Sequence, residues 1–571
     1  MQRKPNPRAL AAAFLAVSAA LTGVVLALRN LYDDEISSLN LIAGPVANIL
    51  GATRQGDVHP PGMYLLAHLA YSIVPSFRWM DLFPSLFVYA GLAIFLFQVT
   101  PLFTRTRAQV CLLLLATLHP QLLLWNSTFR WYSWWTGIAL IAITVALQPR
   151  VAEPRLSACR GLVLGLLLAS LFYLGYITFL FAVALAPAML LRYRSQPWRR
   201  LLTPVLLALV VFCALIAPRI PTLIAVQLPN NGQRAGLADS FSRLLQSIAA
   251  SEAYLPWHPL AILADLLFAA LSIAGLAALL RLRRTQSLSA SLRARLQPCH
   301  ATQGEQPALA PEAKQPYARP SNALASITLF GLFFFLLVAA TGLGGKPRNG
   351  LLLVPVLAPA AALIVETLRP RVQFAILVFF VLWSAVGITH IAGRHGLAKA
   401  TMNDHPEQVV AFIRQTTGPG CAVVVTYDTG LAFSLAEAHL PRLLILSIWP
   451  IPGSGNATSL SAADCARTNL YAVHSYLGDT RAGARALIDQ VQSSTQFIAG
   501  QLRIDSFSFD PDARLKRRLA RIPGLGSDLA PAAQLPDYRY VVTSGTINPA
   551  ALEALQKRMP DFIAGDQPLT P

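Results

Sequence analysis

Charge is what this 571-residue chain lacks: only 13% of its residues are Asp, Glu, Lys or Arg, about half the ~25% of ordinary soluble domains. So little charge cannot cover a globule of this size in water, and a wholly soluble protein is excluded. Cysteine is scarce as well, with six residues and no CxxC pair. No HExxH motif or acidic calcium loop occurs, so no structural metal is indicated. No Gly-rich GxGxxG or GxxxxGK[ST] segment marks a nucleotide site. Acidic residues are fewer than basic ones, 27 against 46, which leaves a net charge of +19. Such a surplus suits nucleic acid only when it forms a contiguous face. Here Lys and Arg stand in short clusters between long apolar runs, the pattern of membrane loops, and no nucleic-acid partner is expected.

What is abundant is apolar length. Hydrophobic residues make up 54% of the chain, and the 34 Gly bring the apolar share to about 60%, against about 45–50% in soluble domains. Runs of about 17–25 apolar residues cross a bilayer because each helical residue rises about 1.5 Å and the backbone must satisfy its own hydrogen bonds in lipid. Spans are predicted near 9–28, 82–99, 108–124, 133–148, 175–191, 201–219, 260–280, 323–342, 351–366 and 373–392, with shorter runs at 62–75 and 161–174. The first run is longer than the apolar core of a cleavable leader and reads as an anchor that stays.

Orientation follows from the clusters Arg192/Arg194/Arg199/Arg200, Arg281/Arg283/Arg284 and Arg369/Arg371, which belong inside by the preference of positive charge for the cytoplasm. Counting back from the last places everything after 392 outside, in the periplasm of a Gram-negative cell. An inside N-terminus then requires an odd number of spans, and counting 161–174 as the eleventh also puts Arg105/Arg107 and Arg150/Arg155/Arg160 inside. The expected fold is therefore a polytopic α-helical membrane protein of about 11 to 13 spans with a small extracytoplasmic C-terminal α/β domain. Its two parts are 1–394 and 395–571; the first external loop is 29–61, and a flexible cytoplasmic linker is expected over 281–322. In the outer part a helix is expected at 405–416, strands at 422–427, 443–448 and 539–543, and helices at 482–493 and 549–558. Cys421 and Cys465 both lie there, where a disulfide between them is open in an oxidising compartment.

Polar chemistry concentrates on the outer side. The first external loop opens with Tyr32-Asp33-Asp34-Glu35 and closes with Asp57-Val58-His59-Pro60-Pro61. Carboxylate with imidazole is what general-base and anion-handling chemistry needs, although each cluster alone also suits a solvated membrane edge. Arg130 and Tyr132 stand in the aromatic segment Asn126-Ser-Thr-Phe-Arg-Trp-Tyr, and Lys346 and Arg348 in a loop that departs from the inside preference of positive charge. Cationic forks of this kind hold phosphate oxygens.

Taken in order, these motifs, with Phe83-Pro84-Ser85-Leu86 and the run Lys346-Pro-Arg348-Asn-Gly-Leu-Leu-Leu-Val-Pro355, resemble the GT-C membrane glycosyltransferases. The similarity is to the bacterial branch of protein O-mannosyltransferases and lipid A aminoarabinose transferases, and it covers roughly 9–392. The resemblance implies a polyprenyl-phosphate sugar donor and transfer with inversion to an envelope lipid, polysaccharide or protein on the outer face of the inner membrane. It implies Asp34 as the base, with Glu35 the second acid of the pair; the additional Asp33 leaves open which aspartate faces the acceptor. His59, Arg130, Tyr132, Lys346 and Arg348 are then expected around the leaving phosphate. Some members use a divalent metal and others do not; Asp57 and His59 are the groups that would ligate one or touch the acceptor. A transporter or flippase of lipid-linked saccharides is the alternative, and it predicts ionisable groups deep in the spans and inverted repeats. No repeat is visible, and His119 and His390 are expected as interhelical hydrogen-bond partners.

Overall fold

The computed structural model describes residues 5–29, 33–55, 59–75, 77–151, 154–227, 236–248, 259–296, 318–343, 347–394, 405–418, 420–426, 428–438, 440, 442–447, 468–475, 503–507 and 540–547. The chain divides into two compact units: Met1–Leu26 with Asp57–Met63 and Asp81–Thr389, and Ala27–Gly56 with Tyr64–Met80 and His390–Pro571.

Helix α1 (Pro7–Leu28) is followed by α2 (Asp33–Ala43) and α3 (Val46–Gln55), so the stretch 29–61, expected as a loop, is largely helical. Its Leu39, Ile42 and Ile49 are buried, and this apolar stripe gives both helices a face to pack. Then come α4 (Gly62–Ile73), α5 (Phe77–Val99), α6 (Thr106–Thr117), α7 (Pro120–Asn126), α8 (Trp131–Leu147), α9 (Ala158–Leu174), α10 (Thr178–Arg192) and α11 (Trp198–Ile216). After them stand α12 (Leu237–Ile248), α13 (Pro259–Leu296), α14 (Ala318–Ala340), α15 (Leu353–Thr367) and α16 (Pro370–Ala392).

Among the described residues, seven helices are long and apolar enough to cross a membrane by length and composition, and five further apolar helices are of 10–17 residues. The expected 11 to 13 spans are reached only when the shorter helices cross too. The run 108–124 is two helices, because Pro120 has no N–H to continue the ladder of α6. His119 caps the second: its Nδ1 accepts from the Gln121 N–H at 3.1 Å, so Nε2 carries the proton and donates to the Ile248 carbonyl at 2.6 Å. The expected interhelical role of this histidine is met. The basic segment expected as linker is helical over 281–296, where α13 continues through Leu, Ala and Arg with no Pro or Gly to stop it, and α14 already begins at Ala318. The intervening 297–317 lie outside the described residues.

Burial follows position. On α11 only Pro204, Ala208, Phe212 and Ile216 are buried, one stripe at every fourth residue, while Leu202, Val205, Leu206, Leu209 and Val210 are exposed. That is the profile of a helix facing lipid on most of its circumference. Helix α8 is buried almost throughout. It meets α5 at an unusually close approach: a Cβ on Gly137 would stand 2.2 Å from the Phe87 carbonyl oxygen, and one on Gly91 2.2 Å from that of Gly137. Only glycine on both helices permits backbones so near each other.

In the second unit, α17 (Pro406–Thr417) and α18 (Thr429–Glu437) accompany a five-stranded sheet: β1 (Cys421–Thr426), β2 (Leu443–Ser447), β3 (Thr468–Ser475), β4 (Arg503–Phe507) and β5 (Tyr540–Ile547). The order is β2-β1-β3-β5-β4. Strand β1 pairs in parallel with β2 and β3, and β5 lies antiparallel between β3 and β4. All six residues of β1 are buried, as an apolar run in a central strand requires. The strands expected from the sequence correspond to β1, β2 and β5; β3 and β4 carry too many polar residues to stand out. The helices expected at 482–493 and 549–558 lie outside the described residues. Cys421 is disulfide-bonded. Its partner, and with it Cys465, also lies outside them.

Candidate functional site

The turn that joins α7 to α8 is closed by its own small polar residues. Ser127 Oγ donates to the Leu124 carbonyl, and Thr128 Oγ1 and Ser133 Oγ both donate to that of Trp125 at 2.7 and 2.6 Å. Ser85 Oγ, one residue after the proline within α5, donates to the carbonyl of Asn126. These bonds satisfy carbonyls left over at the end of α7 and set Arg130, extended at φ −141° and ψ 159°, just before the first turn of α8. Arg130 is buried, and its Nη2 donates to His59 Nε2 at 2.9 Å. A guanidinium is always protonated, so His59 Nε2 is the acceptor and the proton of the neutral ring sits on Nδ1. The His59 ring lies 6.1 Å from that of Trp131. The motif that carries His59 is seated by Gly62, where a Cβ would meet the Tyr173 carbonyl oxygen at 2.4 Å.

Arg348 enters from the short 3-10 turn Pro347–Gly350, which Asn349 ties down by donating to the Leu343 carbonyl at 2.7 Å. The Arg348 guanidinium carbon stands 5.2 Å from the centroid of the Trp125 ring and 5.2 Å from that of Tyr132. Those two rings meet edge to face at 5.3 Å. Trp131, Tyr132, Trp135, Thr136, Ile177, Arg348, Asn349, Leu351 and Leu352 line a narrow cleft. The sequence motifs 59–62, 83–86, 126–132 and 348–355 therefore meet in one unit. Trp125 and Asn349 were not singled out from the sequence: an aromatic at a span end is an interface residue by default, and only the fold sets it against a cation.

The other expected residues are placed as follows. Asp33 and Asp34 form the first turn of α2, their side chains outside the described atoms. Glu35 is fully buried and accepts two bonds from Arg29, Nη1 to Oε2 and Nη2 to Oε1, both at 2.6 Å. Asp57 and Lys346 lie outside the described residues. Of the pair expected to ligate a metal or touch the acceptor, His59 has its Nε2 taken by Arg130, and Asp57 is outside the described residues. Among the described residues no group of three or more His, Cys, Asp or Glu could hold a metal ion.

The basic clusters stand at the other ends of the same helices. Glu366, near the end of α15, accepts from the N–H and hydroxyl of Thr104 and the N–H of Arg105, and Arg107 donates to the Pro370 carbonyl. Arg192 donates to the carbonyls of Leu147, Gln148 and Val151, and Arg160 to Gln148 Oε1. Helix α8 has 17 residues, about 25 Å at 1.5 Å each, between Arg130 and Gln148. Arg348 and Glu366 likewise flank opposite ends of α15. His59, Arg130 and Arg348 thus share the face opposite Arg105, Arg107, Arg160 and Arg192.

No family model matches the chain, and no curated protein matches it. Among solved structures it is similar to ArnT from Cupriavidus metallidurans bound to undecaprenyl phosphate, at 13% identity over 93% of this chain and 97% of that one with a TM-score of 0.48. The apo state of the same protein gives the same identity and coverage and a TM-score of 0.49. An Archaeoglobus fulgidus oligosaccharyltransferase tethered to an acceptor peptide is 10% identical over 84% of this chain and 71% of its own, with a TM-score of 0.36.

Proposed function

We propose that this chain is an inverting glycosyltransferase of the GT-C kind, which moves a sugar from a polyprenyl-phosphate donor to an envelope lipid, polysaccharide or protein. One observation carries the reading: two arginines, Arg130 and Arg348, are buried beside half-buried His59 and a set of aromatic rings at the end of the helix bundle opposite the basic loops. Guanidinium groups gathered at a membrane surface suit an anionic lipid headgroup, whose oxygens they bind in a fork. A lipid phosphate is the anion that reaches such a place from the bilayer, and fixed guanidinium groups stabilise the charge that grows on it as the sugar departs. By the inside preference of positive charge, the cluster faces out, and the disulfide at Cys421 suits the oxidising side of a bacterial inner membrane, with the α/β domain in the periplasm.

In this reading His59, Arg130, Tyr132, Lys346 and Arg348 bind the donor phosphate. Arg130 sets the tautomer of neutral His59, with the ring proton on Nδ1. Asp34, at the start of α2, takes the proton from the acceptor hydroxyl as the oxygen attacks the anomeric carbon and the carbon–phosphate oxygen bond breaks. Glu35 acts on the position of α2 through Arg29, and Asp33 is the second candidate for the base.

The test is mass spectrometry of envelope glycans and lipids in a deletion strain. One sugar is expected to disappear, to return with the wild-type chain and to stay absent with Asp34→Asn produced at wild-type level. Full restoration by both Asp34→Asn and Asp33→Asn removes the base assignment. An unchanged envelope under every growth condition removes the transferase reading in favour of a transporter.

A further inference from the structure

The arginine that the proposed reading aims at phosphate is itself held by a residue that the reading leaves out. Trp125 is fully buried, makes no part of the cleft lining, and belongs to the last turn of α7. Its ring stands 5.2 Å from the guanidinium carbon of Arg348, the same distance as the Tyr132 ring, and the two rings are inclined at 71°. The cation therefore lies in a corner whose two walls present aromatic surface. The tie is also locked from behind, since the Trp125 carbonyl accepts from Thr128 and Ser133 and fixes the turn that bears the indole.

A flexible four-bond side chain 6% exposed loses rotamer freedom when it is fixed, and that cost falls on ligand binding unless the protein bears it beforehand. We propose that Trp125 is a positioning residue for the donor phosphate: with Tyr132 it clamps the Arg348 guanidinium in its binding orientation before the lipid arrives. Indole is the strongest of the aromatic partners for a cation, and its rigidity adds no freedom of its own to lose. The inference rests on the proposed reading of Arg348 as a phosphate ligand.

It makes a quantitative claim about coupling. A desolvated cation–aromatic contact is worth about a 5- to 30-fold change in an equilibrium constant, so Trp125→Leu is expected to weaken binding of undecaprenyl phosphate, the lipid bound in the ArnT structure, by about that factor. Trp125→Phe keeps a weaker aromatic face and is expected to lose less. The deciding measurement is a double-mutant cycle on the full-length protein in lipid nanodiscs, with Arg348→Gln as the second change. Trp125 acting through Arg348 predicts that the double variant binds no more weakly than Arg348→Gln alone. Multiplied losses would overturn the inference and leave Trp125 as packing. If Trp125→Leu does not fold, the same cycle is run with Trp125→Phe. A wild-type protein that binds no undecaprenyl phosphate strikes the parent reading itself; a wild type that binds, with independent losses, strikes only the role of Trp125.

Discussion

Replacement of Glu35 by alanine separates two roles that adjacent acids can hold. The Glu35 side chain is fully buried, and the Arg29 side chain paired with it is 6% exposed, with both oxygens at 2.6 Å from guanidinium nitrogens. Neither group is open enough for water to screen the pair as it does on a surface. Removing one member of such a pair leaves a charge buried against its complement's empty place, at a cost of about 3–5 kcal/mol. Arg29 keeps further contacts, which sets the expected loss at the lower end of that range. In an unfolding unit of about 150–250 residues each kcal/mol moves the midpoint by about 2–4 °C, so Glu35→Ala should melt about 6–12 °C below wild type. Thermal unfolding of the detergent-solubilised protein, followed by intrinsic fluorescence, reads this directly. Arg29→Met with Glu35→Leu removes both charges at similar volume and should recover most of the loss. Asp34→Asn should melt with wild type while sugar transfer is lost. A Glu35→Ala protein that melts within a degree of wild type yet transfers no sugar would refute the structural assignment and return Glu35 to the chemistry.

Gly137→Ala forces a methyl to within 2.2 Å of the Phe87 carbonyl oxygen. Backbone cannot yield as a side-chain tip would, so α5 and α8 must part at a cost of about 1–3 kcal/mol or more; lowered thermal stability and yield are expected, and wild-type stability would show that the two helices are not so close. In the second unit, burial works to raise the Glu407 carboxyl, but hydrogen bonding from His405 and the Arg394 guanidinium outweigh it and hold it down at about 2. Because its folded value lies below the ordinary carboxylate range near ~4.3, its contribution is complete above that range and is lost as pH falls from about 5 toward 2. Acid unfolding of Glu407→Gln against wild type should therefore show a difference that shrinks over this window, and a difference constant with pH would refute the pairing. The effect should be small, since the Glu407 side chain is 55% exposed.

The apolar runs at 9–28, 201–219 and 373–392 correspond to α1, α11 and α16 to within a few residues, because helix in lipid is dictated locally by hydrophobic length. Boundaries failed where a local rule competed. Pro120 divides the span at 106–126 into two helices while its apolar length remains that of one span, and the charged but helix-favouring stretch 281–296 prolongs α13. The stretch 29–61, in which polar and apolar residues are mixed, hid two helices, α2 and α3, which bury Leu39, Ile42 and Ile49. Strands β3 and β4 were illegible because Thr, Asn, His and Ser interrupt the one and Arg, Asp and Ser the other, and only pairing with β1 and β5 draws them into the sheet.

For the site the division is the same. Composition by itself determined a membrane protein, and the positions of Lys and Arg determined which ends of the helices are basic. That His59 accepts from Arg130, 71 residues away in the chain, that Trp125 stands against Arg348, and that Glu35 pairs with Arg29 were decided only by tertiary structure. Hydrophobic length acts on each segment alone, whereas the orientation of a cation depends on which side chains the packing of several helices brings within 3 to 5 Å of it.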